Sequence, residues 1–197
     1  MKLTAEREKL LSPLQAVIGV VERRQTMPVL ANVLLSVRDG RLAITATDLE
    51  VELVAATEVT VQQAGDITVP GRKFLDILRA LPDKALVSLA VEAEKVVIKA
   101  ARSRFSLSTL PAVEFPTIDD INSQQTVRLP RKELLRLLEK THFSMAQQDV
   151  RYYLNGMLLE IDGQLLRAVA TDGHRLALCE TALSANAKSA QQVIVPR

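Results

Sequence analysis

The sequence predicts an α+β protein made of repeated β-α-β-β-β units, two to a domain, with the helices on one face of antiparallel sheets. Two observations predict this fold. The tripeptide Ala-Thr-Asp occurs at residues 46–48 and again at 170–172, and each copy follows two apolar, strand-like stretches joined at an Asp-Gly pair. A strand-like stretch followed by the first residue of a helix recurs at nearly regular intervals. The residues at this junction are Thr4, Pro70, Pro130 and, where the pattern begins again, Pro196.

The first repeat begins with a short strand over residues 1–4, followed by a helix that we expect Thr4 to cap. Its apolar residues keep helical spacing as far as Val21, and Pro13 inside the pattern should kink or shorten the helix. β-Branched residues between turn signals predict the remaining strands of this repeat over residues 32–37, 41–47 and 51–62.

The second repeat is predicted from a strand at 67–70, a helix opened by Pro70, and further strands over 86–91, 95–101 and 104–110. Residues 111–123 are rich in proline and acidic side chains, which is typical of a linker.

A third repeat follows, with residues 126–130 leading into its helix and three strands between residues 152 and 181, and residues 193–197 begin a fourth. We therefore expect one complete domain over residues 1–122 and the N-terminal part of a second over residues 123–197. On this interpretation we expect the sequence to be a fragment of a longer protein.

Composition narrows the class of protein. The 197 residues are 48% hydrophobic and 24% charged, as in a folded globular chain. No 18-residue apolar run and no signal-peptide pattern occur, so we expect a cytoplasmic location and no membrane partner. One cysteine excludes an internal disulfide, and with two histidines it cannot build a tetrahedral zinc site without help from carboxylates. The net charge of +2 is too small to indicate nucleic-acid binding by itself.

An enzyme is the main alternative class, with Asp172 and His174 as an acid–base pair or Cys179 as a nucleophile. The repeat argues against it, because Asp48 has no histidine near it and Cys179 lies in an apolar strand pattern. No nucleotide-binding or metal-binding motif is present. We therefore expect no catalytic residue, no metal and no cofactor, and we interpret Asp172 as part of an Asx-type turn.

Three stretches together resemble the bacterial DNA sliding clamp, the β subunit of DNA polymerase III: 102–111 (RSRFSLSTLP), 144–156 (SMAQQDVRYYLNG) and 170–176 (ATDGHRL). The resemblance implies the DNA-clamp fold, in which each polypeptide has three domains and two polypeptides close head to tail into a ring around DNA. This sequence ends inside the second domain and lacks the third, which puts ring closure in doubt.

The resemblance also implies a non-catalytic DNA polymerase processivity factor. Its expected partners are double-stranded DNA, bound without regard to sequence, the replicative DNA polymerase, the clamp loader, other proteins with a clamp-binding motif, and a second copy in the full-length homodimer. Sliding requires diffuse positive charge facing phosphates. Basic residues on or beside the helices could supply it, or could simply be solvated: Arg7, Lys9, Arg72, Lys73, Arg79, Arg131, Lys132, Arg136 and Lys140.

The resemblance also implies which residues have a function. The positions that touch DNA in the family match Arg24, Gln148, Tyr152 and Tyr153 of this sequence. Arg151 beside two tyrosines is also a combination able to stack on exposed bases, although the tyrosines could instead fill an edge strand. Positions that line the family's peptide-binding pocket match Arg151, Leu154, Thr171, Gly173, His174, Arg175 and Leu176. Such a pocket takes a short linear peptide ending in hydrophobic residues.

The family's dimer interface matches Lys73, Phe105 and Leu107. The alternation of Phe105 and Leu107 equally suits a half-buried strand. A non-catalytic protein-interaction scaffold without DNA contact is the rival function, because it would explain the repeat and the pocket equally well.

Overall fold

The computed structural model describes residues 1–21, 27–118 and 126–197. The chain divides into two compact units, unit 1 over Met1–Asp119 and unit 2 over Asp120–Arg197. The predicted boundary between residues 122 and 123 lies outside the described residues, as does Arg24.

Unit 1 contains two repeats in sequence. The elements of the first repeat are β1 (Lys2–Glu6), α1 (Arg7–Val17), β2 (Asn32–Arg38), β3 (Arg41–Thr47), β4 (Glu52–Glu58) and β5 (Thr60–Gln63). Those of the second are β6 (Gly65–Pro70), α2 (Gly71–Ala80), β7 (Leu86–Glu92), β8 (Lys95–Ala100) and β9 (Ser103–Ser108). Short 3-10 helices lie at Ile18–Val20, Pro28–Ala31 and Ala112–Glu114.

Unit 2 contains one repeat and the first strand of another. Its elements are α3 (Arg131–Thr141), β10 (Gly156–Asp162), β11 (Leu165–Thr171), β12 (Leu176–Ala182) and β13 (Gln191–Pro196). Two 3-10 helices, at His142–Ser144 and Tyr152–Asn155, border the loop between α3 and β10.

The two repeats of unit 1 exchange their leading strands. One antiparallel sheet has the order β5-β1-β7-β8-β9 and the other β4-β3-β2-β6. The first strand of the first repeat, β1, thus pairs with β7 of the second repeat, and the first strand of the second repeat, β6, pairs with β2 of the first. Each sheet is therefore completed by a strand from the other repeat.

The core of unit 1 lies between these sheets and the apolar faces of the two helices. Leu10 and Leu14 of α1 and Phe74 and Leu78 of α2 are fully buried at the helical spacing that the sequence predicted. Helix α1 packs against α2, and both lie against the sheets. The predicted α+β fold of repeated units is confirmed.

The first helix differs from the prediction at both ends. Thr4 does not cap it, because Thr4 lies inside β1 opposite Ser88, and the helix begins at Arg7 after Glu6. The pairing of β1 with β7 extends through Glu6. Thr4, which the sequence predicted as the helix cap, is therefore part of the sheet. Pro13 lies within α1, which ends at Val17, short of the predicted Val21.

The predicted strand over residues 51–62 is in fact two strands in different sheets. Residues Glu52–Glu58 pair with β3, whereas Thr60–Gln63 pair with β1. Between them the amide of Val59 donates a hydrogen bond to the carbonyl oxygen of Gly40 at 2.9 Å. Continuous β-branched sequence concealed this change of sheet.

The predicted linker over residues 111–123 is partly packed. Phe115 is buried and contacts Val29 and Leu30, which lie in the 3-10 helix before β2. The described start of this segment therefore belongs to unit 1.

Unit 2 has one complete sheet, with the order β12-β11-β10-β13. Glycine at position 156 of β10 allows the backbone of β13 to approach closely. A Cβ atom there would lie 2.6 Å from Ile194 Cγ2 and 2.8 Å from the Val195 carbonyl oxygen. Residues 126–130, the expected leading strand of the third repeat, form no strand. In unit 1 the equivalent strand, β1, pairs with β7 of the second repeat. The described part of unit 2 contains only the first strand, β13, of a second repeat, and therefore no counterpart of β7.

Candidate functional site

The site begins with the turn at residues 171–175, between β11 and β12. The Asp172 carboxylate accepts hydrogen bonds at 3.0 Å from the backbone amides of both His174 and Arg175. The hydroxyl of Thr171 donates to the carbonyl oxygen of Arg175 at 2.7 Å and accepts from the amide of Gly173 at 3.1 Å. These bonds fix the turn through its own side chains.

The first copy of the repeat makes the same bonds. The Asp48 carboxylate accepts from the amides of Glu50 and Val51, and the Thr47 hydroxyl donates to the Val51 carbonyl oxygen and accepts from the Leu49 amide. The Asx-type interpretation of the two aspartates is confirmed, because both carboxylates serve the backbone.

The two turns differ at their third residue. Gly173 has φ +87°, and Leu49 occupies the same left-handed region at +79°. Glycine adopts this conformation without steric cost and leucine does not. A Cβ atom on Gly173 would also lie 3.3 Å from Nη2 of Arg151, so glycine permits the guanidinium to approach the turn.

Arg151 is held by an acidic partner in the loop between α3 and β10. Its Nε and Nη2 donate to the two carboxylate oxygens of Asp149 at 3.0 and 2.9 Å, and its backbone amide donates to Oδ1 at 2.8 Å. These bonds, led by the side-chain bond from Arg151, lower the pKa of Asp149 to about 2. The Asn155 side chain bridges the amide and the carbonyl oxygen of Asp149, which closes the loop.

Arg175 joins the turn to the segment after α3. Its Nε donates to Asp172 Oδ2 at 3.0 Å and its Nη2 to the Phe143 carbonyl oxygen at 2.7 Å. The guanidinium also lies 5.7 Å from the centre of the Phe143 ring, within cation–π range. Loop and turn together enclose a cleft of about 460 Å³, lined by Phe143, Met145, Ala146, Gln147, Gln148, Asp149, Arg151, Asp172, His174 and Arg175.

Three of the seven predicted pocket residues line this cleft: Arg151, His174 and Arg175. Thr171 and Gly173 shape the turn behind it. Leu154 is buried beneath the loop, where its carbonyl oxygen accepts from the Ala146 amide, and Leu176 is 64% exposed at the start of β12.

Sequence reasoning did not single out Phe143, Met145, Ala146 or Asp149 as lining residues. The signal available for Asp149 was its opposite charge two residues before Arg151. Phe143 carried no comparable signal, because its role depends on a contact with Arg175, which is distant in sequence.

Two exposed tyrosines border the loop. Tyr152 and Tyr153 are 82% and 51% exposed, and their rings meet edge to face with centroids 6.0 Å apart. Gln148 is exposed and has φ +57°. These three predicted DNA-contacting residues therefore lie on one loop and present accessible side chains.

The basic helix residues fall into two groups. Three are engaged within their own unit: Arg7 donates to the Leu78 carbonyl oxygen, Arg72 to that of Val21, and Arg136 to that of Glu180. From the sequence we expect these three side chains either to face DNA or to be solvated. In the structure their guanidinium groups instead form hydrogen bonds that connect the helices to neighbouring elements. The other six are exposed: Lys9, Lys73, Arg79, Arg131, Lys132 and Lys140.

The predicted dimer-interface residues lie on two elements of unit 1. Lys73 is exposed on α2, whereas Phe105 and Leu107 lie on β9, the last strand of its sheet. Leu107 is 8% exposed and belongs to the core, and Phe105 is partly buried against it.

The residues considered for catalysis do not come together. The described residues include no bond between the Asp172 carboxylate and the His174 imidazole, and Cys179 is buried with Arg136 Nη1 3.1 Å from its sulfur. Within the described ranges no three His, Cys, Asp or Glu side chains are grouped as metal ligands. None of the helices described there combines the length and apolar character of a membrane span.

The same fold occurs in solved bacterial clamps. A Pseudomonas aeruginosa DnaN sliding clamp, solved with griselimycin bound, is 53% identical, aligns with 100% of this chain and 53% of its own, and has a TM-score of 0.93. A Caulobacter crescentus sliding clamp is 43% identical, with 100% and 54% coverage and a TM-score of 0.91. The fold thus defines a protein of the sliding-clamp class.

Sequence comparison gives the family. Residues 1–119 match the DNA polymerase III beta subunit, N-terminal domain, and residues 128–197 match its central domain. The Beta sliding clamp of Pseudomonas putida is 55% identical over 198 residues, which cover 100% of this chain and 54% of the relative. The chain belongs to the DNA polymerase III beta subunit family, and it spans about half the length of these curated relatives.

The bond from Arg151 predicts the titration of Asp149. A depressed pKa means that the loop gains stability above the ordinary value of 3.8 and loses it as the pH falls through about 2. Carboxyl-detected NMR should show Asp149 titrating near pH 2, and Arg151→Ala should raise its pKa toward 3.8. Arg175→Ala is the control and should leave Asp149 unchanged. Titration of Asp149 near 3.8 in the unaltered chain would contradict the proposed ion pair.

Proposed function

We propose that this chain is the N-terminal part of a DNA polymerase processivity factor, a non-catalytic sliding clamp that encircles duplex DNA in the cytoplasm. The observation that carries the proposal is the match along the whole chain to solved clamps, at a TM-score of 0.93 and 53% identity. We divide the chain into a first clamp domain over residues 1–122 and part of a second over residues 123–197. A third domain would belong to the full-length homodimer.

Binding to DNA rests on the exposed basic residues of the helices. Lys9, Lys132 and Lys140 have no side-chain hydrogen bond among the described residues, so their ammonium groups are available to phosphates. Flexible point charges attract the duplex without reading bases, which suits a protein that must slide. Without ring closure, such contacts give weak binding that depends strongly on salt.

The test is fluorescence anisotropy with a labelled duplex across a series of salt concentrations. We expect the logarithm of the association constant to fall linearly with the logarithm of salt concentration. Combined Lys9→Ala, Lys132→Ala and Lys140→Ala substitutions should weaken binding and reduce the slope by about 0.9 for each phosphate that is no longer neutralised.

A matched control removes three exposed lysines from strands instead, at Lys2, Lys95 and Lys99. This control should keep most of the original slope. Absence of DNA binding at every salt concentration would refute the DNA proposal and favour the protein-interaction scaffold.

We assign a more local DNA contact to the loop between α3 and β10. Tyr152 and Tyr153 present exposed rings on which unstacked bases can pack, and Gln148 adds a polar group on the same loop. Such contacts fit the junction of single- and double-stranded DNA. Arg24, the remaining candidate, lies outside the described residues.

The cleft is the proposed binding site for the linear motif of the polymerase, the clamp loader and other clamp-binding proteins. Phe143, Met145 and Ala146 supply apolar lining, while Arg175 and His174 add polar groups to the same cleft. Leu176 follows directly and is exposed, so an apolar peptide end has a side chain to pack against. An apolar anchor with a few directional polar contacts is the usual design of such grooves.

Peptide binding can be measured by fluorescence polarisation with a labelled Gln-x-x-Leu-Phe peptide. Leu176→Ala should weaken binding about tenfold, because it removes an anchoring side chain. Val54→Ala is the matched control, since Val54 is 59% exposed on β4, the first-repeat counterpart of β12. Equal weakening in both variants, or no binding at all, would refute the assignment of the cleft.

For the full-length homodimer we propose Lys73, Phe105 and Leu107 as interface residues. They lie on α2 and on β9, whose outer edge carries no further strand among the described residues. Burial of Leu107 within unit 1 leaves Phe105 and the strand edge as the principal contacts.

A further inference from the structure

The first repeat contains counterparts of two residues that the sequence predicted for the peptide-binding pocket. The two Ala-Thr-Asp turns begin at residues 46 and 170, an interval of 170 − 46 = 124 residues, and the same interval separates Leu30 from Leu154 and Glu52 from Leu176. Leu30 and Leu154 are each the third residue of a 3-10 helix, and both are buried. Glu52 and Leu176 each begin a strand and pair with the last residue of the strand before it. The two repeats therefore place these residues alike.

A later segment of the chain, residues 110–118 (LPAVEFPTI), lies at this place in the first repeat. Its aromatic residue, Phe115, is 4% exposed and packs against Val29 and Leu30 of the 3-10 helix before β2. This cluster is separate from the main core of unit 1. Phe115 is therefore anchored in a small apolar site of its own.

Hydrogen bonds hold both ends of the segment. At one end, the Leu110 amide donates to Oγ1 of Thr68 at 3.2 Å, and the Thr68 hydroxyl donates to the Leu110 carbonyl oxygen at 2.9 Å. At the other end, the Ile118 amide donates to Oε2 of Glu52 at 3.1 Å. These are the contacts of a bound peptide, in which an apolar side chain is the anchor and backbone groups bond to the site.

The conformation of the segment suits this role. Its 3-10 turn, Ala112–Glu114, is followed by a bond from the Phe115 amide to the Ala112 carbonyl oxygen at 3.0 Å. The aromatic side chain is buried, whereas Val113 in the same turn is 92% exposed. Prolines on both sides of the turn restrict the backbone, which reduces the entropy lost when the segment is bound.

We propose that Val29, Leu30, Glu52 and Thr68 form a groove for a short apolar peptide with an aromatic residue, and that residues 110–118 occupy it as a tethered peptide. The covalent link gives the segment an effective concentration on the order of millimolar at its site. The groove is therefore closed to free peptides until the segment is released. Partner peptides are thereby left to the cleft of unit 2, and this consequence alone rests on the function proposed above.

Release of the segment tests the groove. The probe is a fluorescently labelled peptide with the sequence of residues 110–118, and fluorescence polarisation measures its binding. We expect Phe115→Ala to bind the probe about tenfold more tightly than the unaltered chain does, because its own segment has lost the anchor. Every chain in this comparison also carries Leu176→Ala, so that the cleft of unit 2 does not contribute.

Val113→Ala is the matched control, since it alters an exposed side chain of the same segment and should leave the groove closed. A probe with alanine in place of its phenylalanine should bind none of the variants. Equal binding of the original probe to Phe115→Ala and to Val113→Ala would overturn the proposal.

Hydrogen exchange of the chain without substitutions is a second test, which does not depend on the folding of a variant. The amides of Leu110, Phe115 and Ile118 should exchange at a common rate about tenfold faster than the amides of β2, because the segment leaves the groove while the core stays folded. Exchange of these three amides only at the rate of β2 would overturn the proposal, because the segment would then be released only when unit 1 unfolds.

Discussion

Each of the two repeats of unit 1 gives its leading strand to a sheet of the other repeat, and this exchange sets the position of the helices and the core of that unit. In unit 1, β1 completes the sheet of the second repeat and β6 that of the first. The exchange brings α1 and α2 together over a shared core, because neither repeat can cover its own apolar faces. Among the described residues of unit 2, the corresponding pairing is that of β13, the first strand of the fourth repeat, with β10 of the third repeat.

The proposed peptide-binding cleft lies where the repeats diverge. Both Ala-Thr-Asp turns use their hydroxyl and carboxylate groups for the same backbone bonds, so the turn itself is scaffold. The second copy adds Gly173, which permits Arg151 to approach, and Arg175, which reaches Phe143. A duplicated structural unit thus carries a cleft through a few residues that the fold did not require.

The repeat, the class of fold and most strand positions could be predicted, because alternation and helical spacing report burial directly. The division of residues 51–62 at Val59 could not, since both strands have the same β-branched composition and only their partners differ. Arg7 and Arg136 looked like free surface charge, yet both donate to carbonyl oxygens of distant elements. Part of the cleft was missed for the same reason, as Phe143 and Arg175 meet only in the folded chain.

Hydrogen exchange of backbone amides tests the exchange of leading strands. Residues 126–129 have the sequence position of a leading strand but pair with no strand among the described residues, whereas all of β1 pairs with β7 and its first three residues pair with β5 as well. We predict slow hydrogen exchange in β1 and β13 and rapid hydrogen exchange at residues 126–129, near the rate of an unstructured chain. Protection at residues 126–129 comparable to that of β1 would contradict this dependence of one repeat on the other, because the strand would then have found a partner within one repeat.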